Sequence, residues 1–256
     1  MARVAWSGAL RQALPALRDI ARALLWAQPE PVKRALRNLL DEVRLARATT
    51  AAAPQFAALR DQKGLLLHLG CGNHLKDGWV NLDLNLDGNV PALPPKPLPQ
   101  TRFIVYDLRA GTLPLDDDSC QLVYSSHFFE HLEYDDGVRL MRDCHRVLQP
   151  GGIFRAALPN FPELFRAYVE HDEKHFDFYS IFDIYPHRPP ETVTLVDHVN
   201  LGVYGWHHKH IYDQEKICRV LRHLGFASVE ITDYREGLDP ASELRRRYSF
   251  YVEARK

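Results

Sequence analysis

The spacing of apolar residues changes character twice along the chain, and the two changes mark its organisation. Over residues 1–62 apolar positions recur at three-, four- and seven-residue steps: Leu10, Leu14, Leu17, Leu24 and Leu25, then, after Pro29 and Pro31, Leu36, Leu39, Leu40 and Val43. Arginines fall on the other faces, so this stretch predicts amphipathic helices. Thr49–Pro54 (TTAAAP) reads as a linker. From Gly64 the runs shorten. LLLHLG (65–70), WVNLDL (79–84), RFIVYDL (102–108) and CQLVYSS (120–126) have the form of buried parallel strands. PALPPKPLP (91–99) predicts a stiff, extended loop. Tyr134–Leu148 predicts a helix with Val138, Met141, His145 and Leu148 on one stripe. Pro150-Gly151-Gly152 is expected to stop it and turn the chain into a fifth strand, GIFRAALP.

Residues 160–212 lose this regularity and are rich in aromatics and histidine. Gln214–Leu224 then predicts a helix ended by Gly225, and VEITDY (229–234) and SFYVEA (249–254) two closing strands. Alternating strands and helices predict an α/β protein, a three-layer sandwich on a mostly parallel sheet. The predicted division is a helical N-terminal extension over 1–62 and a sheet domain over 63–256. Only about eight residues join the loop after the first strand to the second, fewer than the dozen a parallel crossover usually takes. The first crossover is therefore expected to be shortened: either its helix is reduced to a loop, or the two strands are connected unusually.

Composition narrows the function. With 256 residues, 46% of them hydrophobic and 25% charged, the chain is an ordinary globular protein large enough for one substantial core. Lys+Arg 32 against Asp+Glu 33 gives net charge -1, so no global positive field recruits nucleic acid, and no nucleic-acid partner is expected. The balance is a cancellation: residues 1–63 carry 11 basic and 5 acidic side chains, net +6, and the remainder carries -7. The basic helical stretch is thus the part expected to meet a second copy of the chain or an anionic membrane surface. No apolar run approaches the ~20 residues of a membrane span. Arg11, Arg18 and Arg22 interrupt any signal-type apolar core. Cys71, Cys120, Cys144 and Cys218 are scattered without a CxxC pair, which suits reduced thiols in a cytoplasmic protein.

Ligands of open α/β sheets bind beyond the carboxyl ends of the strands, and three polar signals lie there. Gly70-Cys71-Gly72-Asn73 follows the first strand, where glycines let the backbone approach a ligand and present its N–H groups. Asp83 ends the second, where a carboxylate can accept both hydroxyls of a ribose. Asp107-Leu108 ends the third, an acid beside a backbone N–H that suits an adenine edge. Together they describe a nucleoside pocket.

The same segments resemble the class I S-adenosylmethionine-dependent methyltransferases of the methyltransferase type 11 branch. The resemblance rests on HLGCGN, NLDLN, DLRAGTLPLDDDSCQLVYSSHFFEHL and RDCHRVLQPGGIFRAALPN, covering about Leu65 to Leu158, and IYDQEKICRVLRHLGFASVEI is similar to the end of that fold. It implies a Rossmann-like fold and S-adenosylmethionine as cofactor. Gly70, Cys71 and Gly72 would then face the methionine part, Asp83 the ribose, Asp107 and Leu108 the adenine, and Ser126 and His127 the sulfonium. It also implies that 160–212 is an inserted substrate cover. The usual third glycine is absent, its place taken near His74–Lys76. A nicotinamide cofactor is disfavoured because the loop after the first strand lacks GxGxxG in its proper place.

Methyl transfer from a sulfonium is an in-line displacement, needing alignment and, for a hydroxyl acceptor, a base. Histidine is the natural base near neutral pH. The candidates are His127 and His131 in SHFFEHL, and His207, His208 and His210 in GWHHKHIYD, with His198 an outlying site. His127, Glu130 and His131 stand at i, i+3 and i+4, similar to the ExxEH metal ligands of some ubiquinone-pathway and small-RNA 2′-O-methyltransferases with the first Glu replaced by His, and a fourth ligand from GWHHKH could complete a hard-ion or zinc-like site. No closed four-ligand pattern is visible, so the sequence predicts a metal-free site with His127 at the methyl-transfer position. The aromatic tract (Phe161, Phe165, Tyr168, Phe182, Tyr204 and Trp206 among others) suits stacking on a sugar or aromatic ring. The expected function is methylation of a hydroxyl on a small-molecule or glycan-type acceptor. The competing reading is a non-catalytic S-adenosylmethionine-binding subunit that supports a partner protein.

Overall fold

The structure, a computed structural model, describes residues 29–84, 101–176 and 181–256. The leucine repeat from Leu10 to Leu25 and the proline-rich 91–99 stretch lie outside the described residues. The chain divides into two compact units, Met1–Arg47 and Ala48–Lys256. The predicted second helix is present as α1 (Glu30–Ala51). Leu39, Leu40 and Val43 of its apolar face are exposed rather than packed.

Thr49–Pro54 is not a linker. α1 runs through Ala51, and α2 (Ala53–Ala57) takes Pro54 into its first turn, where a missing N–H leaves nothing unpaired. Alanine is the strongest helix former, and that preference prevails over the low-complexity look of the segment. Ala52, Phe56 and Leu59 belong to the core of the second unit, so residues 48–62, which the sequence groups with the extension, pack with the sheet.

Among the described residues that sheet has seven strands: β1 (Leu65–Leu69), β2 (Val80–Asp83), β3 (Arg102–Val105), β4 (Cys120–Ser126), β5 (Leu148–Pro159), β6 (Ser228–Thr232) and β7 (Ser249–Arg255). Their order is β3-β2-β1-β4-β5-β7-β6, with β7 alone antiparallel to its neighbours. Leu67, Leu69, Leu82, Ile104, Val123 and Phe154 are buried along the central strands, as the unbroken apolar runs require. β1 and β2 are paired in parallel, Leu67 opposite Val80, with a helix-free loop between them. The shortened crossover is real.

α3 (Tyr134–Val147) buries Leu140, Met141, Cys144 and Val147 and passes directly into β5 at Leu148. Pro150-Gly151-Gly152 therefore does not separate helix from strand. It forms an irregularity inside β5, where the pairing with β4 shifts and Gly151 adopts φ 78°. The weakly periodic tract is a string of short helices, α4 (Phe161–Val169), α5 (Ile181–Ile184) and α6 (Leu195–Asn200), followed by a π-turn at Leu201–Gly205. Most are too short for a repeat to show in sequence. α7 (Gln214–His223) and α8 (Glu243–Arg247) complete the helices.

One buried charge cluster ties the chain before α8 to the sheet. Arg155 of β5 is fully buried and bonds Asp239 (Nε to Oδ1, 3.1 Å), Glu253 (3.0 Å), Thr232 Oγ1 (2.8 Å) and the Asp233 carbonyl (2.8 Å). All four cysteines are buried and free. No helix among the described residues is long and apolar enough to cross a membrane.

Candidate active site

The carboxyl ends of β1, β2 and β4 open into a cleft of about 920 Å³. Gly70 and Gly72 follow β1 with φ 62° and 51°, a region that L side chains rarely adopt. A Cβ on Gly70 would lie 2.3 Å from the Phe128 ring, so this backbone approaches its neighbour as only glycine can. The Gly72 N–H donates to Asp83 Oδ2 at 2.5 Å, which fixes the glycine loop to the end of β2. Burial raises the Asp83 carboxyl above its ordinary value, and bonds from the Gly72 and Leu84 backbones oppose that shift. Cys71 and Ser126 also line the cleft.

The loop that stands in for the first helix has its own fastening. Asn81 Oδ1 accepts from the Lys76 N–H at 2.9 Å and lies 3.3 Å from His68 Nδ1. The Asn81 amide donates to the carbonyls of Lys76, Trp79 and Arg102. Lys76 Nζ lies over the Tyr124 ring at 4.6 Å and bonds the Leu238 carbonyl, joining the loop to the segment that Arg155 secures.

A second pocket, about 250 Å³, adjoins the cleft beneath the short helices. Phe161, Leu164, Trp206 and Tyr248 give it apolar walls, and His175 and His208 polar ones. His127 and Arg245 line both cavities. His127 has φ 49°, uncommon for a residue with a side chain, and its N–H is held by the Ala157 carbonyl at 2.9 Å. Its Nε2 lies 2.7 Å from Ser249 Oγ and its Nδ1 3.5 Å from Glu130 Oε1. Burial drives its pKa well below the usual histidine value, so the ring is neutral.

Glu130 and His131 lie on a single 3-10 turn, Phe129–His131, rather than on an α-helix. Glu130 is completely buried, and neither carboxylate oxygen has a hydrogen-bond partner. Burial lifts its pKa to about 8. Its carbonyl accepts the N–H groups of Lys209 (2.7 Å) and His210 (3.2 Å), docking the GWHHKH segment against this turn. His208 thereby meets His131, ring centroids 4.8 Å apart. Burial pulls His131 down to about 4 and lowers His208 as well.

The predicted residues thus separate into two groups. Gly70, Cys71, Gly72, Asp83, Ser126, His127, His131 and His208 converge on the two cavities. His207 is exposed and lines neither, while His210 packs on Tyr134 and Tyr212, and His198 on Phe176. Asp107 caps the turn after β3, accepts from the Arg109 N–H at 2.9 Å and pairs with its guanidinium. Leu108 is buried in the core, and neither residue lines the cleft. Of the aromatic tract, Phe161 and Trp206 wall the second pocket, whereas Phe165, Tyr168, Phe182 and Tyr204 are exposed at the surface. Arg245 has no signal in the sequence because it reaches the cleft through tertiary structure alone, and Lys76 and Tyr124, on the loop after β1 and on β4, line the cleft without having been given a site role. Open space stands where Gly72 would carry a Cβ, and the Asp83 carboxylate lies beside it at the end of β2, an arrangement that suits a nucleoside-bearing sulfonium.

Part of the chain is similar to known methyltransferases. The sequence model of a methyltransferase domain family matches residues 83–156. A probable S-adenosylmethionine-dependent methyltransferase of Mycolicibacterium smegmatis is 38% identical over 64 residues, 24% of this chain and 24% of that protein. The chain thus matches about a quarter of the length of that curated relative. Among solved structures, an S-adenosylmethionine-dependent methyltransferase of Mesorhizobium loti is 22% identical, with 80% of this chain and 98% of that chain covered and a TM-score of 0.48. One from Archaeoglobus fulgidus is 17% identical, covering 84% and 94%, with a TM-score of 0.47.

Proposed function

We propose, from the premise that this chain belongs to the class I S-adenosylmethionine-dependent methyltransferase family, that it methylates a hydroxyl of a small-molecule or glycan-type acceptor. One observation carries the reading: His127 is shared by a cleft sized for the cofactor and a smaller aromatic-walled pocket sized for one ring. The cofactor supplies an electrophilic methyl group. Gly70 and Gly72 admit its methionine portion, and Asp83 accepts its ribose hydroxyls. The acceptor ring stacks between Phe161 and Trp206 and presents its hydroxyl at the junction.

His127 is the base in this reading. Burial keeps its ring neutral, Glu130 stands behind Nδ1, and Ser249 Oγ occupies the hydrogen-bond position on Nε2. An acceptor hydroxyl takes the place of Ser249 there. When bound, S-adenosylmethionine would supply the methyl group to the acceptor oxygen with S-adenosylhomocysteine as leaving group, and His127 Nε2 would take the hydroxyl proton. The products are a methyl ether, S-adenosylhomocysteine and a protonated His127.

The test is an acceptor screen by mass spectrometry, followed by kinetics of two variants. His127→Ala is expected to lower kcat by ~100-fold or more while affinity for S-adenosylmethionine stays within a few-fold. Ser249→Ala is expected to keep kcat within a few-fold, because the acceptor replaces that hydroxyl. Full activity in His127→Ala would end its assignment as the base. Cofactor binding without turnover on any acceptor would favour the non-catalytic subunit.

A further inference from the structure

We propose that Glu130, His131 and His208 form a site for one divalent transition-metal cation of the zinc or cobalt type. A ligand atom of each lies within 4.8 Å of the others. A tetrahedral zinc ion with ligands at about 2.0–2.1 Å needs donors roughly 3.3 Å apart, so modest side-chain rotation closes the set.

The argument starts from Glu130. A carboxylate with no exposed surface and no hydrogen bond to either oxygen is costly to bury unless a proton or a cation accompanies it. The nearest groups are imidazoles, His127 Nδ1 at 3.5 Å with His131 and His208 completing the cluster, while the Arg245 guanidinium acts on Glu130 through space without a hydrogen bond to it.

The imidazoles are arranged as ligands. His208 Nδ1 lies 2.6 Å from the Gly202 carbonyl, which requires the proton on Nδ1 and leaves Nε2 with its lone pair. Metal-binding histidines are commonly oriented by such a second bond to a carbonyl. His131 lies beside the backbone of Trp206 and His207. Two imidazoles and one carboxylate select transition metals over magnesium or calcium, which prefer all-oxygen shells. Three protein ligands leave a coordination position open, as in catalytic zinc sites.

The site joins distant parts of the chain. The Glu130 carbonyl holds the backbone of Lys209 and His210, and this brings His208 back to the turn after β4. His131 lines the cofactor cleft and His208 the second pocket, so the ion belongs to the wall they share, where an acceptor oxygen can fill the open position. That last role rests on the methyl-transfer reading; binding of the ion does not.

The 256-residue chain, stripped with a chelator, is titrated with Co²⁺ and followed by its visible d–d absorption and by elemental analysis. One bound equivalent with the absorption of a low-coordinate nitrogen and oxygen site is expected. Glu130→Gln, nearly isosteric, and His208→Ala are each expected to weaken binding by more than the ~10–100-fold that loss of a supporting partner costs. His223→Ala, on an exposed position of α7, is expected to bind as wild type. The site is overturned if the wild-type protein takes up no stoichiometric ion, or if both ligand variants bind it unchanged. S-adenosylmethionine titration of the same samples reports folding and separates the two readings. Cofactor binding and turnover without metal uptake sinks the metal site alone, and metal uptake without cofactor binding sinks methyl transfer alone.

Discussion

Asp83 is a residue whose role follows from where it stands. It ends β2 at the rim of the cleft, accepts the Gly72 N–H at 2.5 Å, and is destabilised as an anion by burial. Hydroxyl donors from a ribose would relieve that destabilisation, and on the proposed reading ligand and loop would share one carboxylate. Asp83→Asn keeps the shape but loses the charged acceptor, a change worth ~1.5–3 kcal/mol for hydrogen bonds to a charged group. The expected result is a roughly 10- to 100-fold loss of S-adenosylmethionine affinity by calorimetry, and unchanged affinity would remove Asp83 from the pocket. Residues of this kind were legible in the sequence because strand ends can be located from apolar runs, and ligands bind beyond strand ends. Ser126 and His127, which the family resemblance implies, line the cleft, and so do Gly70, Gly72 and Asp83, to which the rule points. It placed Asp107 there too, and a competing partner two residues away, Arg109, engages that carboxylate instead. Arg245 was beyond its reach, since nothing local marks one arginine of an Arg-Arg-Arg run as the one facing a cavity.

Between residue and fold lies the β1–β2 unit, where a loop replaces a crossover helix. The sequence revealed the short spacing but not what compensates for the missing helix, because the compensation is a set of buried polar contacts within an apolar-looking strand. His68, inside LLLHL, faces Asn81 directly across the strand pair, and Asn81 binds the loop and β3. Burial pushes the His68 pKa from 6.5 down to about 3. The folded protein therefore refuses a proton that the unfolded chain accepts. The contribution of the neutral ring is complete above the unfolded value near 6.5 and is lost as the pH falls toward 3. The slope from this group is at most about 1.4 kcal/mol per pH unit. Urea denaturation between pH 7 and pH 4.5 is expected to show wild type losing more stability than His68→Gln, whatever the variant's starting stability. Equal losses would mean that His68 does not govern the acid response. The same reasoning explains why Thr49–Pro54 was misread: helix ends and tertiary packing of Ala52 and Phe56, not composition, decide where the domain begins.

At the scale of the whole molecule, the question is which of the two units carries the chemistry. Every residue lining the cleft and the second pocket falls between His68 and Tyr248, inside the unit Ala48–Lys256. The core of that unit likewise starts at Ala52. The basic stretch carries net +6 over residues 1–63, and none of its described residues, 29–63, lines either cavity. Its charge has the sign to repel a sulfonium cofactor and attract anionic surfaces, whereas the acidic remainder has the opposite preference. The two functions implied by those signs are therefore expected to be separable. A chain comprising residues 48–256 should bind S-adenosylmethionine with an affinity within about threefold of the full chain, a difference under ~0.7 kcal/mol. Calorimetry on both forms, with far-UV circular dichroism to establish that the shorter one is folded, makes the comparison. A folded 48–256 chain with strongly weakened binding would show that the N-terminal unit completes the site. Retained binding would assign the cofactor chemistry to the sheet domain by itself.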